Sequence, residues 1–152
     1  MEGLFTGGCQ CGAIRFRAEK LGRPSICHCR MCQKAFGGFF GALVTADQAH
    51  LTWTRGQPSL FRSSKKILRG FCPKCGTPMT YQHPGGVEIA IGAFDRPELI
   101  EPEVQVNHHL RLPWIEQLFD KPAVAQSLDE GEMISFQHPD HDTAKWPPED
   151  EA

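Results

Sequence analysis

Short stretches of alternating or continuous apolar residues run through the chain, separated by turn residues. Residues 13–18 alternate, with Ile14, Phe16 and Ala18 on one face, and predict a half-buried strand. Residues 39–45 form an apolar run that predicts a buried strand. Residues 51–54 predict a short one, closed by Arg55-Gly56-Gln57-Pro58. Residues 60–63 and 66–71 read as two arms of a hairpin. Residues 79–82 and 87–94 flank the turn His83-Pro84-Gly85-Gly86, and 103–109 predict one more strand. Residues 33–38 read as turn, and the only helical pattern is short, at 114–119. The expected fold is mostly β, a complex arrangement of short antiparallel sheets.

Composition supports this. Gly (15) and Pro (12) make up nearly a fifth of the 152 residues, which favours strands and turns over long helices. With 40% apolar and 22% charged residues, the chain can bury a core without staples. A net charge of −2 argues against a generally basic nucleic-acid binder. The longest apolar run, at 39–44, is far below the roughly 20 residues of a membrane span. The first residues, Met1-Glu2-Gly3-Leu4, have neither a basic nor an apolar leader region. The expected compartment is therefore the reducing cytoplasm, where cysteines serve as ligands or catalytic groups rather than disulfides.

Residues 137–152 differ from the rest. Five acidic residues face one lysine there, with three prolines. The expected organisation is a zinc-binding domain at 1–136 and an acidic, Pro-containing tail at 137–152, mobile or hugging the surface. Such a tail cannot supply a core, so its removal is expected to leave folding and metal content nearly unchanged. Trp146 is the residue able to pin it to the body or to a partner subunit of a homo-oligomer.

Seven cysteines change the picture most. They fall in three groups: Cys9 and Cys11, then Cys27, Cys29 and Cys32, then Cys72 and Cys75. An odd number cannot pair fully within one chain, and partners one or two residues apart suit a shared ion better than a disulfide. Seven divides economically into four and three. Structural zinc sites are closed by four protein ligands, whereas catalytic ones hold three and keep a position open. The assignment is a closed site from Cys9, Cys11, Cys72 and Cys75, a zinc-ribbon-like clip, and an open site from Cys27, Cys29 and Cys32. Sulfur ligation favours zinc, two ions per chain, over magnesium or calcium; composition leaves an iron–sulfur cluster open. His28 or a distant histidine closing the second group into another structural site is the competing assignment, and metal-free redox thiols are a further one.

Three stretches, Gly8-Cys9-Gln10-Cys11-Gly12-Ala13-Ile14-Arg15-Phe16, Cys27-His28-Cys29-Arg30-Met31-Cys32-Gln33-Lys34 and Arg69-Gly70-Phe71-Cys72-Pro73-Lys74-Cys75-Gly76-Thr77, resemble the glutathione-dependent formaldehyde-activating enzyme family, also called the GFA or CENP-V/GFA domain. Gly92-Ala93-Phe94-Asp95 is similar to that family's strand end, and the match covers roughly residues 6–120. The resemblance implies a mostly β zinc fold. It implies a structural zinc on Cys9, Cys11, Cys72 and Cys75 and a catalytic zinc on Cys27, Cys29 and Cys32. It also implies a carbon–sulfur lyase activity that forms or cleaves S-hydroxymethylglutathione from glutathione and formaldehyde. The His109-to-Trp114 stretch is shorter than the family usually shows, and no motif here fixes the glutathione contacts.

The expected chemistry holds a substrate thiol as thiolate at the open site, beside an aldehyde carbonyl. His28 is the expected proton shuttle or supporting partner. Arg30 and Arg69, close to metal ligands, are the expected contacts for the carboxylates of a thiol such as glutathione. Arg62 on the same hairpin and Lys34 beside the three-thiolate loop extend that positive cluster, whereas Lys65 and Lys66 better suit a solvated hairpin face. Phe36, Phe39, Phe40 and Trp53 suit the core. The competing function is a zinc-stabilised binding module without catalysis.

Overall fold

A computed structural model describes residues 1–125 and 135–147. It is mostly β. The strands are β1 (Glu2–Gly8), β2 (Arg15–Cys27), β3 (Gly41–Ala46), β4 (Leu51–Arg55), β5 (Ser59–Arg62), β6 (Leu68–Phe71), β7 (Pro78–His83), β8 (Gly86–Ala90) and β9 (Val104–Val106). One short helix, α1 (Arg30–Phe36), follows β2.

The long strand β2 organises everything. Its first half lies between β1 and β4, both antiparallel. Its second half pairs antiparallel with β3 and, at Ser25–Cys27, parallel with β9. The sheet then continues β3-β8-β7-β6-β5. The register shifts between Leu21 and Pro24, and such an irregularity tolerates a proline inside a strand. This is why β2 runs well past the 13–18 stretch that alternation marks.

The core sits where β2 crosses the sheets. Phe16, Val44, Met79 and Ile89 are fully buried. Phe16 meets Trp53 and Phe94 edge-on at 5.8 and 5.0 Å between ring centroids. Burying a side chain of this size contributes about 1.5–3 kcal/mol. A Cβ at Gly7 would lie 2.3 Å from the Ala93 carbonyl and 2.5 Å from the Phe16 ring, so only glycine lets β1 close over Phe16. That glycine-rich composition also hides β1 from any apolar pattern.

Several expectations are corrected. Residues 33–38 are not all turn: α1 reaches Phe36 and ends at Gly37 in the left-handed conformation. The strand expected at 87–94 stops at Ala90, and 91–93 form a 3-10 turn. The strand expected at 103–109 is only Val104–Val106, cut by Asn107 at φ 54°. The helix expected at 114–119 is a 3-10 helix, Ile115–Asp120. Phe39 is 44% exposed and meets Trp114 edge-on at 4.8 Å rather than joining the core.

The described part of the tail is packed on the body of its own chain. The His138 amide donates to the Gln10 carbonyl at 2.7 Å, and the His138 ring is buried against Trp146. Gly12 (φ 71°) admits that ring: a Cβ there would lie 2.2 Å from His138 Cδ2. Arg15, itself buried, forms a two-point pair with Asp95 (2.6 and 2.8 Å) and a second with Asp142 (2.7 and 3.0 Å). Arg55 donates to the Gly12 carbonyl at 2.9 Å and to the Thr143 carbonyl. Of the two expected states, mobile or hugging the surface, the described part of the tail adopts the second, with Trp146 packed against the docked His138 ring. The acidic residues Glu149, Asp150 and Glu151 lie outside the described residues.

Candidate metal centres

Cys9 and Cys11 occupy the turn between β1 and β2, and Cys72 and Cys75 the turn between β6 and β7. Their four sulfurs lie within 4.8 Å of one another. Cys9 to Cys11 is 3.6 Å and Cys11 to Cys72 is 3.9 Å. Sulfurs placed 2.3 Å from a tetrahedral ion would stand about 3.8 Å apart, so the donor set fits zinc; a disulfide would need about 2.05 Å. Thr77 stitches the two turns together: its Oγ1 accepts from the Gln10 amide at 3.0 Å and lies 3.1 Å from Cys75 Sγ. The Ile14 amide donates to Cys9 Sγ at 3.2 Å.

The thiols of this group are unequal without a cation. Burial pushes Cys9 up to about 12. Burial also raises Cys75, but hydrogen bonds from the Thr77 side chain and backbone outweigh it and pull that thiol down to about 6. Four thiolates this close repel one another unless a dication sits among them. Such an ion ties together segments 61 residues apart in the chain.

The second group forms inside one hexapeptide. Cys27 ends β2, Cys29 caps α1, and Cys32 lies in its first turn. Their sulfurs also lie within 4.8 Å of one another. The cap is the sulfur itself: Cys29 Sγ accepts from the Cys32 amide at 3.4 Å. Burial raises the Cys29 thiol, but that amide and the neighbouring Cys32 and Cys27 side chains bring it below its ordinary value. Burial pushes Cys32 up to about 12, against the pull of Arg69. Two further donors reach the sulfurs. Asn107 Nδ2 lies 3.4 Å from Cys27 Sγ, and Arg69 Nη2 lies 3.5 Å from Cys32 Sγ. Asn107 is the only non-glycine residue at positive φ among those described, and asparagine tolerates that conformation best.

The two groups meet their surroundings differently. Cys27, Cys29 and Cys32 all line a single cavity of about 420 Å³, with Arg69, Tyr81, Glu88 and Asn107 in the same wall. Clefts of about 430 and 640 Å³ beside the four-thiolate group each touch only one or two of its cysteines. The Arg69 guanidinium lies over the Tyr81 ring at 5.0 Å and donates through Nε to Ser63 Oγ at 3.1 Å.

The remaining expected residues are placed as follows. His28 is buried, with Nε2 2.8 Å from Gln105 Oε1, and its ring packs near Phe40 and His108. Its Nδ1 is buried with no hydrogen-bond partner among the described residues. The His28 carbonyl accepts from Gln33 Nε2 at 2.9 Å and its amide donates to Val106, so the residue secures the loop from within. Arg30 is exposed, bonds Gln33 at 3.3 Å, and is not in the cavity wall. Arg62, Lys65 and Lys66 are exposed and also outside it. Thr77, Tyr81, Glu88 and Asn107 are the site residues that sequence reasoning missed. Asn107 alone carried a signal, as an asparagine interrupting an extended stretch.

Residues 4–109 match the family described as glutathione-dependent formaldehyde-activating enzyme. The fold is similar to the crystal structure of a Rhodobacter sphaeroides protein, at 21% identity and a TM-score of 0.53, covering 66% of this chain and 99% of that one. Among the described residues no helix is long and apolar enough to cross a membrane.

Proposed function

The chain belongs to the glutathione-dependent formaldehyde-activating enzyme family, and from that premise we propose that it is a zinc-dependent carbon–sulfur lyase that forms or cleaves a thiol–aldehyde adduct. The observation that carries this reading is the cavity whose wall contains all three cysteines of a three-sulfur donor set. A group with only a structural task has no use for an unfilled position facing a cavity. Cys9, Cys11, Cys72 and Cys75 would hold the structural zinc, and Cys27, Cys29 and Cys32 the catalytic one. Zinc bound at the second group supplies a place where a substrate thiol stays ionised and nucleophilic, and where a leaving thiolate is stabilised.

The chain's own residues do the rest. Asn107 and Arg69 donate to the Cys27 and Cys32 sulfurs and disperse their charge. Cys29 draws on the first turn of α1 for the same purpose. His28 is assigned as a positioning residue, because its Nε2 is taken by Gln105 and its backbone anchors the loop. Arg69 is engaged by Cys32, Ser63 and Tyr81, so its first task is to hold Cys32 in place. The 1–136 unit carries both metal groups, and the described part of 137–152, as far as Pro147, is its strap. A reducing cytoplasm is the compartment that would keep seven thiols as ligands.

The test is to follow adduct exchange between a thiol and formaldehyde by NMR, with metal content measured alongside. About two zinc ions per chain and accelerated exchange are expected. Full metal loading without acceleration, and without any response of the metal to thiols, would favour the non-catalytic binding module instead.

A further inference from the structure

The cavity that holds the three sulfurs has a second atom to serve, the oxygen of the aldehyde. As the carbon–sulfur bond forms, the carbonyl electron pair moves onto that oxygen and negative charge develops there. A hydrogen-bond donor already in place stabilises such charge. Besides the cysteines, the side chains in the wall that carry donors are Ser25, Ser63, Arg69, Tyr81 and Asn107. Three of them are engaged. Arg69 donates through Nε to Ser63 Oγ and through Nη2 to Cys32 Sγ, and its Nη1 is buried. Ser63 Oγ accepts the first of these bonds, and the Asn107 amide is turned to Cys27 Sγ. The hydroxyls of Tyr81 and Ser25 make no hydrogen bond among the described residues.

Of these two, Tyr81 is the one built into place. Phe61, Arg69, Tyr81 and Glu88 oppose one another in register across β5, β6, β7 and β8, so all four stand on one face of the sheet. The Arg69 guanidinium lies over the Tyr81 ring at 5.0 Å and reaches Cys32 Sγ at 3.5 Å. One buried cation thus fixes the phenol relative to a sulfur of the metal group. Burial raises the phenol above its ordinary range, against the pull of Arg69, and the Cys32, Glu88 and Cys27 charges add to the rise. The hydroxyl therefore keeps its proton at neutral pH and is available as a donor. Ser25 offers an alcohol, a weaker acid than a phenol and so the weaker donor.

We propose that Tyr81 is a catalytic residue, the hydrogen-bond donor to the aldehyde oxygen. The proposal rests on the reading that the three-thiolate site holds a substrate thiolate. A sulfur lone pair forms the S–C bond, the carbonyl π pair moves onto oxygen, and the proton that the thiol released on ionising reaches that oxygen through water. In the reverse direction the hydroxyl proton leaves to water, the C=O bond re-forms, and the thiolate departs with the S–C pair. The Tyr81 hydroxyl donates to the oxygen in both directions and keeps its own proton.

Tyr81 is the only tyrosine of the 152 residues, so carbon-13 at tyrosine Cζ gives one NMR signal that reports on this hydroxyl alone. The test adds glutathione, and then glutathione with formaldehyde, to the labelled, zinc-loaded full chain. The signal should shift further with the aldehyde present than with the thiol alone. In Tyr81→Phe, checked for unchanged zinc content and melting temperature, kcat for adduct exchange should fall about hundredfold, with KM for the thiol changed by less than about twofold. A signal that stays in place with the aldehyde, or that moves fully with the thiol alone, would overturn the proposal. So would a Tyr81→Phe variant as fast as the native chain, or a larger loss in Ser25→Ala than in Tyr81→Phe. Should Tyr81→Phe fail to fold, the tyrosine signal of the native chain decides. A native chain that accelerates no exchange, and whose metal responds to no thiol, would instead overturn the reading of the three-thiolate site itself.

Discussion

The two cysteine groups use the same ligand atom and differ in everything around it. The four-thiolate group draws two ligands from each of two turns far apart in the chain, and Thr77 bonds across both. The three-thiolate group comes from one strand end and the helix that follows it, and it faces a cavity. An ion bound by distant segments holds the fold together, because the ligands come apart when the chain unfolds. An ion bound by one hexapeptide closes almost no loop, so it adds little to the fold and is left to chemistry. Where the ligands come from, as much as their number, separates a staple from a working centre.

Breaking the staple should have the largest effect. Cys72 is fully buried, and Cys72→Ser leaves three thiolates and a poor fourth donor in the closed site. Stability should fall by more than about 4 kcal/mol, with loss of the metal. Metal analysis with thermal unfolding checks this; an unchanged melting temperature and metal content would dissolve the distinction between the two groups.

Cys29→Ser sharpens the comparison from the other side. Cys29 caps α1 through its sulfur, and serine is among the best N-cap residues. The substitution therefore removes a ligand without removing the cap. Zinc should drop from about two per chain toward one, the far-UV spectrum should persist, and adduct exchange should be abolished. Collapse of the fold would make this a second structural site.

Much of the difference between the groups was legible in the residues alone. The cysteine spacing divides seven into four and three without a structure, and Phe16 at the centre of an alternating run marks the core strand. The roles of Asn107 and Thr77 were not legible, because each acts through a partner distant in sequence: Asn107 meets a sulfur 80 residues away and Thr77 an amide 67 away. The helix α1 was missed because its seven residues are too few to show a period, and its start signal is a cysteine in place of the usual oxygen. Strand β1 was missed because three of its seven residues are glycine.

The tail tests whether a third segment shares the staple's task. His138 docks on Gln10, between two ligands of the closed site, and Asp142 on Arg15. Truncation before Gln137 should cost about 1–3 kcal/mol, because the Arg55 and Gln10 groups lose partners while Arg15 keeps Asp95. Chemical denaturation measures it, and the three-thiolate zinc should stay bound. A truncated chain as stable as the full one would mean that these polar contacts merely replace water.

The smallest effect expected is a pH dependence of that docking. His138 Nδ1 lies 2.7 Å from the Pro139 carbonyl, so Nδ1 carries the proton that donates to it. Nε2 then accepts from Thr143 Oγ1 at 2.9 Å, with Arg55 Nη1 3.5 Å away. A second proton, on Nε2, would face that guanidinium. Burial, then the Arg15 and Arg55 charges, lower the ring's pKa below 6.5, against the Pro139 carbonyl and Asp95. Above 6.5 the ring is neutral in both folded and unfolded chains, and the docking contributes fully. Below 6.5 the unfolded chain takes up a proton that the folded chain still refuses, so stability falls with pH until the folded ring protonates as well. The slope is bounded at about 1.4 kcal/mol per pH unit for one proton. Stability of the wild type and of His138→Gln, compared between pH 7.5 and 5.5, isolates this contribution, because protonation of the cysteine ligands affects both alike. The wild type should lose more stability over that interval than the variant. Parallel curves would show that the strap holds by its ion pairs alone and that the buried ring is a spacer.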